Sequence, residues 1–259
     1  METRKALVRR PGARLAEGLV THIERSEVDV DLALEQWQGY VDALQSAGWE
    51  TIEVDGAPDC PDAVFVEDAV VVYGRTAVIT NPGADERKPE TPAVERAVRD
   101  LGYDVKRIVA PGTLDGGDVL KHGGTVWVGQ GGRTNAEGIR QLAEHLAPEG
   151  AEVIAVPLTK VLHLKSAVTA LPDGTVIGYE PLVDDPSVWE SFRAMPEEPG
   201  AHVVLLGGRT VLAASSAPES IALLRGEGLE VIEVDISEFE KLEGCVTCLS
   251  VRLRGCPKG

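Results

Sequence analysis

Cysteine is scarce in this chain. Cys60, Cys245, Cys248 and Cys256 are its only four in 259 residues. So few thiols over such a length exclude a disulfide scaffold and point to a reducing, cytoplasmic setting. Positive charge is also in short supply: 25 Lys and Arg stand against 42 Asp and Glu, a formal net charge of −17. That balance argues against nucleic acid as a partner and suits a cationic one, although solubility alone would account for it. No apolar run reaches membrane length. Met1-Glu2-Thr3-Arg4-Lys5 leads straight into the strand-like Ala6-Leu7-Val8, so no signal peptide is expected. What remains is an ordinary globular composition, 43% apolar, long enough to bury a large core.

Strand and helix patterns alternate. A strand is expected over 6–10, then a long loop over 11–27 of the kind that often serves as a lid. A helix over 29–47 carries Leu32, Leu34, Trp37, Tyr40, Val41 and Leu44 at helical spacing and stops at Gly48. Hairpins are expected for 65–73 with 76–80, and for 118–121 with 125–128. Asn135 caps a helix, and Ser216 with Glu219 and Ser237 with Glu240 read as capping boxes. The last segment, 244–253, reads as one strand. The tail from about 255 carries no element signal and is expected to fray.

One turn recurs. Gly74-Arg75-Thr76, Gly123-Gly124-Thr125, Asp173-Gly174-Thr175 and Gly208-Arg209-Thr210 each lie between two apolar strands. A repeated strand–turn–strand–helix–strand unit means stacked modules rather than a dinucleotide-binding sheet. Four copies are visible. A fifth arises if the C-terminal strand joins the strand over 6–10, which would close a ring. No linker or charge block divides the chain, so residues 1–259 read as one domain.

The first strand of a module should be apolar on its buried face. Here it opens on polar groups: Glu67 and Asp68, then Asp115 and Asp118, then His163 and Lys165, with Cys248 on the last strand. In a ring these positions would converge on the axis. Each residue alone has a blander explanation: Cys248 as an inert buried thiol, His163 as a core histidine, Asp115 as a turn residue. Together they offer a nucleophile, an acid/base and the carboxylate that orients it. Asp62, Glu67 and Asp68 cluster where carboxylates need a cation, and a planar multi-donor guanidinium answers that need. Arg87 and Arg133 could then hold an amino acid's carboxylate. Cys245 and Cys248 form a Cys-x-x-Cys. On a strand such a pair faces opposite ways, so Cys245 is expected to point into packing, and zinc and redox readings are set aside.

With these residues in view, the chain resembles the dimethylarginine dimethylaminohydrolases of the guanidine-modifying superfamily. The likeness runs through Phe65-Val66-Glu67-Asp68, Leu114-Asp115-Gly116-Gly117-Asp118, Arg133-Thr134-Asn135, Leu162-His163-Leu164-Lys165-Ser166 and Thr247-Cys248-Leu249-Ser250-Val251. It implies a five-module α/β propeller of the pentein type, with ββαβ units around a central active-site channel. It implies Cys248 as nucleophile, His163 as acid/base and Asp115 as its supporting carboxylate. Asp62, Glu67 and Asp68 would bind the guanidinium, with Phe65 packing on the substrate. Arg87 and Arg133 would take the carboxylate. The backbone of Leu242 and a flap around Leu19 and Val20 would complete the site. The implied reaction converts dimethyl- or monomethyl-L-arginine and water to L-citrulline and the methylamine, through a covalent intermediate on sulfur, with neither metal nor organic cofactor. The expected partner is that small cationic substrate, with no nucleic acid and no membrane. Oligomeric state stays open, a homodimer included. Arginine deiminase chemistry is the nearest alternative.

Overall fold

The computed structural model describes residues 4–253. The expected fraying tail lies outside that range. The first sheet starts with β1 (Arg4–Val8), crosses through α1 (Val30–Ser46) and returns in β2 (Trp49–Glu53), parallel to β1. Strand β1 ends two residues earlier than expected because Arg9 turns inward. Its guanidinium donates to the carbonyls of Asp55, Ala63 and Glu90. Helix α1 begins where the Asp29 carboxylate accepts the Asp31 and Leu32 N–H groups. It buries Ala33, Gln36, Trp37, Tyr40, Val41 and Leu44, and it leaves Leu32 exposed. The apolar stripe is therefore turned slightly from the expected one.

Three modules then follow the same plan. An antiparallel pair, β3 (Val70–Tyr73) and β4 (Thr76–Ile79), is followed by α2 (Thr91–Asp100) and by β5 (Asp104–Arg107), parallel to β4. The next has β6 (Val119–His122), β7 (Thr125–Gln130), α3 (Ala136–Leu146) and β8 (Glu152–Pro157). The short α4 (Leu164–Ala167) introduces β9 (Val168–Ala170), β10 (Val176–Gly178) and β11 (Phe192–Ala194). Here the crossover holds two 3₁₀ turns, Glu180–Leu182 and Pro186–Val188, where the other modules place a helix.

The next sheet is β12 (Val203–Gly207), β13 (Thr210–Ala214), α5 (Pro218–Gly226) and β14 (Glu230–Val234). Short α6 (Ser237–Glu240) precedes β15 (Val251–Leu253), which pairs antiparallel with β1 and completes the first sheet in the order β15-β1-β2, making it the fifth unit of the ring. The ring closes as the repeat implied. Strands β3, β6, β9, β12 and β15, the first of each unit, line a common central cavity of about 1190 Å³.

Capping was misread at two helices. Ser216 instead donates to Glu240, and the Ser237 N–H is held by Asp235. Asn135 does cap α3, accepting the Gly138 N–H at 2.8 Å. Among the described residues no helix is long and apolar enough to cross a membrane.

The larger correction concerns the polar residues expected on the first strands. Glu67 and Asp68 lie on a 3₁₀ turn, Val66–Ala69, and Asp118 on another, Gly116–Asp118. His163 is the residue before α4. Strand geometry would send neighbouring side chains to opposite faces. A turn frees the two carboxylates for separate partners, Lys165 for Glu67 and Arg87 for Asp68. The C-terminal segment behaves likewise. Only Val251–Leu253 is strand, and residues 246–249 form a turn closed by the Cys248 N–H on the Cys245 carbonyl at 3.0 Å. The Tyr40 hydroxyl holds that turn, 2.8 Å from both the Val246 carbonyl and the Ser250 hydroxyl. Cys245 consequently does not point away. Its Sγ lies 3.3 Å from that of Cys248.

Candidate active site

His163 is placed by a chain of bonds running back to two loops. Asp118 accepts the Leu164 N–H at 2.9 Å and the Thr134 hydroxyl at 2.6 Å, which pins the start of α4. Thr134 in turn accepts the Asp115 N–H at 3.1 Å. The Asp115 carboxylate, fully buried, accepts the Gly83 N–H at 2.9 Å and meets His163 Nε2 at 3.0 Å. On the other side of the ring, His163 Nδ1 lies 3.9 Å from the Asp68 carboxylate. Gly117 backs the imidazole so closely that a Cβ there would sit 2.6 Å from Nδ1.

Burial pulls the His163 pKa down. The Asp68 charge, the Asp115 hydrogen bond and the Asp118 charge outweigh it and raise the value to about 9. His163 is thus an imidazolium at neutral pH. Asp68 is pushed upward by burial, but His163 and Arg87 overcome that and hold it at about 2. Asp118 has weaker compensation, and burial lifts it to about 6.

The acid cluster already has cations from the chain itself. Lys165 pairs with Glu67, whose Oε2 accepts no hydrogen bond among the described residues. Burial raises the Glu67 pKa against the Lys165 charge. Arg87, also buried, donates to Asp68, to both oxygens of Glu90 and to the carbonyls of Asp62 and Phe65. In this state Arg87 organises the acids, and a substrate carboxylate would have to compete for it. Arg133 is less committed, with Nη1 3.6 Å from Asp115 Oδ2 and its side chain 12% exposed.

Asp62 faces the loop expected to be a flap, and its two oxygens accept the Leu19 N–H at 3.2 and 3.1 Å. Burial raises its pKa. Val20 packs on the cluster that contains Phe65, Leu242 and Cys248. The loop is latched by Glu243, a non-glycine residue at φ 60, which accepts the Thr21 and His22 N–H groups. Phe65 stands edge-on to Phe239 at 6.3 Å and presses on Gly244, where a Cβ would come within 2.4 Å of its ring.

Cys248 completes the cluster. Its carbonyl accepts the Glu67 N–H at 3.2 Å, tying the thiol turn to the acid turn. Its thiol pKa is raised by the hydrogen-bonded Cys245 thiol, by burial, and by the charges of Glu67 and Asp68. A cation arriving among those acids would reverse the last of these effects. Asp68, Asp115 and His163 present ligand-type atoms within 4.8 Å of one another. Asp68 is already bonded to Arg87 and Gly117, and Asp115 to Gly83 and His163.

Sequence reasoning named Cys248, His163, Asp115, Asp62, Glu67, Asp68, Lys165, Arg87 and Arg133 but gave no role to Thr134, Asp118, Gly83, Gly117, Glu90 or Glu243. The Asp115-Gly116-Gly117-Asp118 pattern was the available signal for two of them. Arg87→Met is expected to destabilise the fold by about 3–5 kcal/mol, because Glu90 is left buried without its cation and Asp68 loses one of its two. Urea unfolding midpoints of the variant and the parent would measure it. A shift worth under about 1 kcal/mol would show the pairing to be dispensable.

Comparison with known proteins places these features. The family model described as arginine deiminase matches residues 56–205. The N(G),N(G)-dimethylarginine dimethylaminohydrolase of Streptomyces coelicolor is 65% identical over 254 residues, 98% of each chain. A Pseudomonas aeruginosa dimethylarginine dimethylaminohydrolase structure, a cysteine-to-serine mutant complexed with citrulline, is 34% identical with a TM-score of 0.90, covering 98% of this chain and 100% of that one. A histidine-to-glycine variant of a dimethylarginine dimethylaminohydrolase, solved as an adduct with S-methyl-L-thiocitrulline, superposes with a TM-score of 0.91 at 33% identity, covering 97% and 100%.

Proposed function

Because this chain belongs to the N(G),N(G)-dimethylarginine dimethylaminohydrolase family, we propose that it hydrolyses Nω,Nω-dimethyl-L-arginine, or the monomethyl form, to L-citrulline and the corresponding methylamine. One observation carries the assignment to this chain's own residues. His163 Nδ1 lies 3.9 Å from the buried Asp68 carboxylate, and the Cys248 carbonyl accepts the N–H of Glu67, the acid beside it, so the imidazole and the thiol turn are tied to one acid turn.

The substrate guanidinium enters among Asp62, Glu67 and Asp68, with Phe65 against its apolar arm. Arg133, with Arg87 behind the acids, takes the carboxylate. Leu19, Val20 and the Leu242 carbonyl close over the amino-acid end. The arriving cation lowers the Cys248 pKa, and the thiolate adds to the guanidine carbon. His163, oriented by Asp115, gives its proton to the departing dimethylamine as the C–N bond breaks. An S-alkyl thiouronium remains on Cys248. His163, now neutral, takes a proton from water, and the resulting hydroxide adds to the same carbon. The C–S bond then breaks, citrulline leaves, and the thiolate is restored. The five modules act as one catalytic domain. The free thiols Cys60, Cys245 and Cys248 suit a cytoplasmic setting.

Unmethylated arginine is the competing substrate, given the arginine deiminase family model. Citrulline formation from arginine, monomethylarginine and dimethylarginine, measured side by side, separates the two. The expected kcat/KM favours a methylated substrate over arginine by about 10- to 200-fold, the range that small apolar groups supply. Turnover of arginine alone, with ammonia released, would overturn the substrate assignment.

A further inference from the structure

The sequence pattern Cys245-x-x-Cys248 is not absorbed by the proposed hydrolysis, which uses one thiol. The turn over 246–249 brings the second one to it. Sγ of Cys245 and Sγ of Cys248 are 3.3 Å apart, closer than two sulfur atoms in ordinary contact. The Cys248 N–H on the Cys245 carbonyl makes these residues the two ends of a hydrogen-bonded turn. Cα atoms at the ends of such a turn fall within the span that a disulfide bridges. Cys245 also has Thr247 Oγ1 at 3.2 Å, and its N–H points to Cys248 Sγ at 3.5 Å. Both thiols are nearly buried, 6% and 8% exposed, so a small oxidant can reach them while a bulky thiol has little access. Cys60 takes no part, its sulfur directed at the Glu86 carbonyl.

We propose that Cys245 and Cys248 are a modification site: a dithiol that a hydroperoxide closes to an intrachain disulfide, which removes the nucleophile from the candidate active site. The thiolate of the pair attacks the distal peroxide oxygen. The O–O bond breaks, the alcohol (or water, from hydrogen peroxide) leaves with a proton, and a sulfenic acid forms. The neighbouring thiol attacks that sulfur, the S–O bond breaks, and water departs as the S–S bond forms. The two thiols supply the two electrons that reduce the peroxide. Because its neighbour is already in contact, the sulfenic acid is trapped before further peroxide carries it to the sulfinic acid. A dithiol reductant restores the thiols.

The loss of activity rests on Cys248 being the nucleophile; the formation of the disulfide does not. Full-length protein is treated with hydrogen peroxide, digested without reduction and mapped by mass spectrometry, with citrulline formation followed in parallel. The expected result is a Cys245–Cys248 cross-linked peptide, near-complete loss of activity, and recovery on dithiothreitol. In Cys245→Ser, and in Cys245→Ala as a second variant, oxidation should end in Cys248 sulfinic acid and activity that dithiothreitol does not restore. Each variant is compared with its own reduced state. Sulfinic acid at Cys248 without the cross-link in the parent, or cross-linking to Cys60 or Cys256 instead, would overturn the proposal. A protein that forms the cross-link but never made citrulline would refute the hydrolase assignment and leave the dithiol site standing.

Discussion

Cys248→Ala is expected to lower citrulline formation at least about 10⁴-fold, the scale on which removal of a covalent nucleophile acts. The loss should fall on kcat. What Cys248 contributes to the fold comes largely through its backbone: its carbonyl accepts the Glu67 N–H and its own N–H closes the turn on Cys245. Alanine keeps both. The acids that would receive the guanidinium, Asp62, Glu67 and Asp68, and the Arg87 and Lys165 pairs that set them, are also untouched. Dimethylarginine should therefore still bind, with Kd within a few-fold of the parent's by calorimetry. Deleting one buried sulfur costs about 1 kcal/mol of stability, too little to unfold the chain. Citrulline production surviving within tenfold of the parent would show that the nucleophile is misassigned.

His163→Asn should cost about 10² to 10⁴ in kcat, the usual reach of a single acid/base group. The pH profile makes this test specific. With its pKa raised to about 9, His163 stays protonated throughout the neutral range, as the proposed proton donor to the leaving amine must. The rate of the parent should fall on the alkaline side as pH passes about 9, and that limb should vanish in the variant. Stability follows the same group. Its folded-state pKa lies above the ordinary 6.5, so its contribution is fully present below about pH 6.5 and is lost as pH rises through about 9. The amount is on the order of 3 kcal/mol. Urea midpoints at pH 6 and pH 9.5 should differ more for the parent than for His163→Asn. Equal differences would mean that His163 is not held charged by Asp68 and Asp115.

The ring itself was legible because its signal is periodic. Thr76, Thr125, Thr175 and Thr210 repeat one turn, and the matching strands pair as that register demands. The chemical residues were legible by type and by order along the chain. Their exact backbone was not. A short run such as Val66-Glu67-Asp68-Ala69 is as apolar at its ends as a strand, and tertiary partners such as Lys165, Arg87, Gly117 and Cys248 make a 3₁₀ turn the better arrangement. The same failure misplaced Cys245. A strand period separates it from Cys248, and the turn held by the Tyr40 hydroxyl joins them. Arg87 was read with Arg133 as a carboxylate ligand, and nothing in its sequence neighbourhood announced the ion pair with Glu90, three residues on. Its burial beside that carboxylate is a property of the folded chain alone.

The pairing of β1 with β15 joins Lys5 to Leu253, residues at opposite ends of the described chain. During synthesis the first strand has its parallel partner, β2, early, but its other edge stays open until Val251–Leu253 emerge. The Cys248 turn lies just before that strand. Every other part of the candidate site can be in place on the ribosome before the thiol arrives. A shortened product ending before Cys248 would have an open ring and lack the proposed nucleophile. A nascent chain therefore acquires ring closure and the Cys248 turn together, once residues 245–253 have emerged.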